Sequence, residues 1–402
     1  MRRRTFLGLA VATGAAGAAR SSWARPQRLR VGVVGAGIVG ASMAYHLAEA
    51  GAQVVVLEKS APASGATRNS FAWINAFVAD SHYRAVRLQS LLAYRDLDRR
   101  LGLAIIWGGY LNWASDASQA ALVRANASQM EGSPYPVLAL SAAELASLSP
   151  QLTPGPVSAA IYSAIDGHLD PVQVTQRFLA AARARGAQLR CPCEVRALEF
   201  RHGRLASAIT SQGTVPLDRL VVAAGVDTPR VLALCGFKLR LRHAPGILAH
   251  SSAMPELTRI IHDAPGGLSF KQMANGSIVG TDAPEPPDLP VHAGIRAEPM
   301  VFPDDATRAM HGNRILGKIA TFLPAVRDSH LEWLSLGFRP MPTDEFPVLG
   351  ALPATPDVHV AVTHSGVTLA PILGRWTTAE VMDATRIEAL APYRPERFAA
   401  ST

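Results

Sequence analysis

Residues 30–60 read "RVGVVGAGIVGASMAYHLAEAGAQVVVLEKS". Val31 to Val34 is a short unbroken apolar run, the pattern of a strand buried on both faces. Gly35, Gly37 and Gly40 follow in G-x-G-x-x-G spacing. Gly35 permits a tight turn, Gly37 lets a pyrophosphate approach the backbone, and Gly40 lets the next helix pack close to the strand. Ala44, Leu47 and Ala48 give that helix an apolar face, and Gly51 stops it. Val54 to Leu57 is the second strand, ending on Glu58, whose carboxylate suits the ribose hydroxyls of an adenosine and repels a 2′-phosphate. Strand, glycines, helix and acid together predict a Rossmann-type domain that binds the ADP half of a dinucleotide.

That pattern leaves NAD and FAD open, and the continuation separates them. Glu58 is followed by "KSAPASGATRNSFAWINA" (59–76), small and polar residues with no helical period, suited to a loop along a ligand. The next parallel-strand signal, "LDRLVVAAGVDTPRV", does not arrive until residues 217–231. So long an insertion into a nucleotide domain points to a flavoprotein.

Upstream, the chain opens "MRRRTFLGLAVATGAAGAARSSWARP". Arg3-Arg4 followed by a mild apolar run and the small-x-Ala site Ser22-Trp23-Ala24 predicts a twin-arginine signal peptide over residues 1–24. That run is well short of the ~20 apolar residues of a membrane span. The expectation is export, already folded, to the periplasm by the twin-arginine machinery, which suits a cofactor loaded in the cytoplasm. The chain has 402 residues, about half of them apolar, enough for a large core. Its net charge of +8 falls to +4 without the four leader arginines, and no Lys/Arg run is interleaved with aromatics, which argues against nucleic-acid binding. The cysteines, Cys191, Cys193 and Cys235, have no metal-ligand spacing and read as small buried hydrophobes.

The remaining elements follow from periodicity. Residues 81–101 predict a helix capped by Ser81, with Tyr83, Val86, Leu91, Tyr94 and Leu97 on one face. "AIIWGGYLNWAS" (104–115) predicts a strand with a Gly-Gly bend, and 172–186 a second helix. Residues 187–222 read as strands joined by the turns "RHGR" and "SQGT". Residues 249–284 are β-rich, "DAPEPPDLP" (282–290) is a loop, and a helix is expected over about 304–322.

With these elements in place the chain resembles the FAD-dependent D-amino-acid oxidase superfamily, near the glycine-oxidase and sarcosine-oxidase branch. The matching segments are residues 35–59, "SGATRNS" (64–70), "DGHLDP" (166–171), "VVAAG" (221–225), "GFRPMPTDEFPVLG" (337–350) and "HSGVTLAPILGRW" (364–376), in the family's order. The resemblance implies an α/β fold: a Rossmann-type FAD domain from the discontinuous segments 28–85, 150–235 and 335–395. A substrate domain on a mixed, largely antiparallel sheet is expected from 86–149 and 236–334. It implies oxidation of the C–N bond of a small amino acid or amine by hydride transfer to flavin N5, giving an imine that hydrolyses. A dehydrogenase that passes electrons to a quinone or other acceptor instead of O2, and a non-catalytic FAD-binding subunit, are the alternatives.

The resemblance places cofactor contacts at Gly35, Ala36, Gly37, Ile38, Val39, Gly40, Glu58 and Lys59, in the loop Ser64, Gly65, Thr67, Arg68 and Asn69, and at Val195, Ala224 and Gly225. Backbone N–H groups of Gly366, Val367 and Thr368, opening a helix that runs to about Met382, would face the flavin pyrimidine edge. Arg339, in "GFRP", stands where relatives clamp the substrate carboxylate; bracing the strand end, or pairing with Asp344 or Glu345, is the alternative. His364 is a candidate catalytic side chain or an ordinary packed histidine. Trp73 and Asn75 face the substrate, or Trp73 is an apolar anchor. Relatives that attach FAD covalently use a Cys near the position of Gly337 or a His in the early loop; residues 60–81 hold no His, so FAD is expected to be noncovalent. Sarcosine oxidases use a strand lysine to activate oxygen; "SIVG" (277–280) has none, and Lys271 reads as a solvated strand residue.

Overall fold

A computed structural model describes residues 28–242, 244–282 and 304–398. The expected signal peptide and most of the 282–290 loop lie outside the described residues.

The apolar runs form a six-stranded sheet. Strands Gln188–Arg190, Gln53–Leu57, Arg30–Val34, Arg219–Val222 and Val358–Val362 lie side by side in parallel, and Val348–Ala351 closes the edge antiparallel. Their side chains are buried on both faces, which is why the sequence shows runs rather than alternation. On one face lie the helices Ile38–Glu49, Pro171–Arg183 and Gly366–Asp383. The first and last approach closely: Ser42 Oγ donates to the Ala370 carbonyl at 2.7 Å, and a Cβ on Gly374 would fall 2.4 Å from His46 Nδ1. On the other face a three-stranded meander (Val195–Arg201, Arg204–Thr210, Gly213–Pro216) covers a second core.

An eight-stranded sheet stands beside it. Its order is Leu331–Phe338, Pro245–Ala253, Ser277–Thr281, Leu268–Gln272, Ile261–Ala264, Tyr110–Ala114, Ala159–Ser163, Leu138–Ala139, antiparallel except where Ile261–Ala264 meets Tyr110–Ala114. Here alternation decides the packing. Ile247, Ala249, Phe270 and Ile278 point to one side and bury against Ile315 and Ile319 of the helix Asp305–Phe322. The opposite side carries polar and aromatic groups, Tyr110, Asp263, Ser269, Lys271, His250, Ser335 and Trp333, and it faces the 67–77 segment of the other half.

Three local expectations are corrected. The Ser81–Leu101 helix is capped by Asp80, not Ser81: the Asp80 carboxylate accepts from the Tyr83 N–H at 2.6 Å, a cap worth about 1 kcal/mol. Of the cysteines only Cys193 is buried; Cys191 and Cys235 are half-buried, because each sits at the end of an element. Lys271 is not solvated: it is 1 % exposed, since the sheet face it occupies is covered by the 71–72 backbone.

Candidate active site

The glycine turn is built as the spacing demands. Gly35 has φ +102°, and its N–H donates to the Leu57 carbonyl at 2.9 Å. A Cβ on Gly40 would fall 2.1 Å from the Gly35 carbonyl oxygen, so any other residue would push the helix off the strand. Gly37 lies under Thr67, whose Oγ1 accepts from the Ile38 N–H at 3.1 Å and ties the 60–70 loop to the helix start. Glu58 is fixed beside the turn: Oε2 accepts from the Ala36 N–H at 2.8 Å and Oε1 from the Ser60 N–H at 2.8 Å. A backbone cradle that a Cβ would fill, with a carboxylate oriented at its edge, fits the adenosine and pyrophosphate of FAD.

The loop folds over this turn. The Ala63 N–H donates to the Ala36 carbonyl at 3.0 Å, Ser64 Oγ to the Ala61 carbonyl at 2.7 Å, and Asn69 Nδ2 to the Gly65 carbonyl at 3.0 Å. From the C-terminal half, Gly366 meets Val39: a Cβ on Gly366 would lie 3.1 Å from Val39 Cγ2. The Tyr94 hydroxyl donates to the Val367 carbonyl at 2.5 Å, Ser90 Oγ to the Thr368 carbonyl at 2.6 Å, and Thr368 Oγ1 to the Trp73 carbonyl at 2.9 Å. The start of the Gly366–Asp383 helix is thus pinned against both the glycine turn and the loop. Ala224 and Gly225 follow the strand next to Gly35. Of the other expected cofactor residues, Lys59 pairs with Asp227 at 3.3 Å and Val195 buries its side chain in the second core. Arg68 lies with its guanidinium carbon 5.6 Å from the Trp333 ring centre.

The residues expected to meet a substrate divide in the same way. Arg339 is half-buried; its Nε and Nη2 donate to the Ala244 and Pro245 carbonyls at 3.3 and 3.4 Å. Asp344 pairs with Arg397 at 2.7 Å and Glu345 with Arg242 at 2.5 Å. His364 is exposed; desolvation by the protein around its ring, then the charges of Arg339 and Arg87, lower its pKa to about 4, so it is neutral at pH 7. Trp73 is an anchor: its Nε1–H donates to Asp166 Oδ2 at 2.8 Å, while the Tyr135 hydroxyl donates to Oδ1 at 2.7 Å. Burial raises the Asp166 pKa to about 7 against those two bonds and the Arg87 charge. Asn75 is buried and accepts from Arg87 Nη1 at 2.7 Å.

Three residues that sequence reasoning missed or misplaced line the polar sheet face. His250 stacks on Trp333 with ring centres 4.0 Å apart, and burial, then Lys271 and Arg68, lower its pKa to about 4. Lys271 Nζ donates to the Ala72 carbonyl at 3.4 Å and lies 5.2 Å from the Phe71 ring centre. Burial lowers its pKa to about 7, with Asp170 opposing. The alternation in "LSFKQ" and "LEWLSLGFR" is the signal that puts Lys271, Trp333 and Arg339 on one face. Among the described residues no three His, Cys, Asp or Glu side chains cluster as metal ligands would, and no helix is long and apolar enough to cross a membrane.

Known proteins share this fold. The L-proline dehydrogenase of P. horikoshii superposes with a TM-score of 0.79 at 21 % identity, covering 93 % of this chain and 99 % of that one. Glycine oxidase of Geobacillus kaustophilus is 25 % identical over 363 residues, 86 % of this chain and 91 % of its own length, and its crystal structure matches with a TM-score of 0.78. Human mitochondrial dimethylglycine dehydrogenase is 26 % identical over 271 residues, 65 % of this chain. That match spans only 31 % of the human enzyme, so the chain covers about a third of that relative's length. The model of the FAD dependent oxidoreductase (DAO) family matches residues 30–380, and the chain belongs to that family.

Proposed function

We propose that this protein oxidises the C–N bond of a small amino acid or related amine, with noncovalently bound FAD and O2 as electron acceptor. FAD, when bound, supplies the two-electron chemistry that turns C–N into C=N; the imine is then open to water. The chain's part is to bind and orient. The observation that carries the reading is the polar sheet face, on which Lys271 reaches the loop that follows the glycine turn, His250 stacks on Trp333 and Arg339 follows the Trp333 strand. A planar guanidinium matches a substrate carboxylate, and a neutral His364 beside it accepts or donates a hydrogen bond without competing for the anion. Glycine oxidase, dimethylglycine dehydrogenase and 4-methylaminobutanoate oxidase among the relatives are named for substrates of this kind. Noncovalent attachment is supported at Gly337, where a Cβ would fall 2.5 Å from Asn69 Cβ, leaving no space for an attaching side chain. O2 gains negative charge as it takes electrons, and the Lys271 ammonium is the nearby group that would favour it. The export reading rests on Arg3-Arg4 and the apolar run after it, and places the enzyme in the periplasm.

The test is an anaerobic screen of glycine, sarcosine, D- and L-amino acids and simple amines against the yellow holoprotein. Bleaching by a carboxylated amine, restored by air, is the expected result. A flavin that none of them reduces would overturn the substrate reading, and one that air does not restore would replace O2 with another acceptor.

A further inference from the structure

Arg87 is a buried cation that the reaction above does not use. It lies on the Ser81–Leu101 helix, 7 % exposed, with its guanidinium carbon 4.8 Å from the Tyr83 ring centre. Its fork is divided: Nη1 donates to Asn75 Oδ1 at 2.7 Å, Nη2 donates to Ser365 Oγ, and Nε is buried without a partner. Among the described residues no carboxylate lies within ion-pair distance of it. Asp166, the buried acid that feels its charge, is committed to Trp73 and Tyr135, and burial pushes its pKa up to about 7.

An unpaired buried cation is unfavourable, and its placement makes it more so. Ser365 is the N-cap of the Gly366–Asp383 helix, so the guanidinium stands behind the positive end of an 18-residue helix. The two like-signed sources meet at the helix start, which packs against Val39 of the glycine turn and the Trp73 carbonyl. Negative charge placed beside the helix start would offset that cost.

We propose that Arg87 is a positioning residue for the flavin: it locks Ser365 and Asn75 and places a fixed positive charge behind the helix start, which stabilises negative charge on the pyrimidine edge of the isoalloxazine. The inference rests on placing that edge at the Gly366–Thr368 amides. After desolvation and Arg339, the Arg87 charge also lowers the pKa of His364, the residue before the Ser365 cap.

The test measures the two-electron midpoint potential of the bound flavin by dithionite titration against reference dyes, with flavin content per chain determined on the same samples. Arg87→Met should shift the reduction equilibrium at least tenfold toward oxidised flavin, about 30 mV for a two-electron couple, with flavin content unchanged. Arg87→Lys, which keeps the charge and loses the fork, should stay within about threefold of wild type on the same scale. If Arg87→Met does not fold, Arg87→Gln is read by the same criterion. An unchanged potential in the neutral variants, or an equal shift in the neutral and lysine variants, would overturn the proposal, the first by removing the charge effect and the second by reducing Arg87 to packing. Dithionite reduces the flavin without any amine, so a failed substrate reading leaves this measurement intact.

Discussion

Lys271 Nζ lies 3.4 Å from the carbonyl oxygen of Ala72, so a strand of one half donates its only charged group to the cofactor-side loop of the other. The contact is long and neutral, and a single carbonyl does not repay the loss of water around an ammonium. That deficit is why the pKa falls from 10.5 to about 7. The proton on Lys271 is therefore loosely held at physiological pH, and its two states are both accessible to chemistry.

If the Lys271 charge promotes electron transfer to O2, Lys271→Met should slow flavin reoxidation by O2 at least tenfold, about 1.4 kcal/mol of barrier, and leave anaerobic reduction by substrate nearly unchanged. In wild type the reoxidation rate should fall as pH rises through about 7, where the amine loses its proton; in the variant it should be flat. Stopped-flow mixing of reduced enzyme with aerated buffer measures both. Equal reoxidation rates in the two proteins would remove Lys271 from oxygen chemistry.

The same group sets a sign for stability. Below about pH 7 Lys271 is protonated in both folded and unfolded chains, and the folded state bears the full cost of the buried charge. Between about 7 and 10.5 the unfolded chain holds a proton that the folded one has released, so this group's contribution to stability improves as pH rises. Lys271→Met should raise Tm most at pH 6, and the advantage should shrink toward pH 10. Thermal melts of the holoenzyme across that range would show it; a constant Tm difference would mean that Lys271 is charged or neutral throughout.

Glu58 is held by two backbone N–H groups, so its carboxylate is oriented before any ligand arrives. Glu58→Ala should weaken FAD retention about tenfold or more, the loss of at least one charge-assisted hydrogen bond of roughly 1.5–3 kcal/mol. Flavin released by acid precipitation and quantified per chain tests this and the noncovalent attachment together. Yellow colour that stays with the precipitate would contradict dissociable FAD.

If residues 1–24 act as a twin-arginine leader, Arg3-Arg4→Lys-Lys keeps its charge but removes the pair that the export receptor reads. FAD-loaded precursor should then accumulate in the cytoplasm, visible as a band retaining its leader. Normal export of the double variant would assign the leader to another route.

How legible the molecule was in its sequence depended on how local each role is. The glycine turn, its two strands and Glu58 are written within 31 residues, and each role follows from one residue type at one offset. The polar sheet face is different. Ser269-Phe270-Lys271 alternates plainly, but a lysine opposite the core side of a sheet reads as solvated until another segment is known to cover it. The 71–72 backbone that covers Lys271 lies about 200 residues away, and no local pattern announces the pairing. Arg87 is a different case: it stands four residues from both Tyr83 and Leu91, so the helical period puts it on the apolar face, and only its partners, Asn75 and Ser365, were out of reach of local pattern. Asp80 and Ser81 are both good caps, and composition could not rank them; the Asp80 carboxylate takes the bond because its residue keeps the extended backbone of an N-cap.

Arg339 gives the sharpest test of substrate class. Its Nε and Nη2 donate to carbonyl oxygens at 3.3 and 3.4 Å, and a substrate carboxylate would be a stronger acceptor than either. Asp344 and Glu345, the acids close by in sequence, are engaged with Arg397 and Arg242. Arg339→Lys keeps the charge and loses the planar pair of donors, so one of two parallel hydrogen bonds to a carboxylate disappears. At roughly 1.5–3 kcal/mol per charge-assisted bond, kcat/KM should fall about 10- to 150-fold for an amino acid. For the matching amine without the carboxylate, mutant and wild type should be nearly equal, and flavin content should not change. If instead Arg339 only braces the strand end at Ala244 and Pro245, the variant should lose thermal stability or flavin, and both substrates should suffer alike. Steady-state kcat/KM for the acid and amine pair, with Tm and flavin content on the same preparations, separates the two outcomes, and equal losses for both substrates would take Arg339 out of the substrate site.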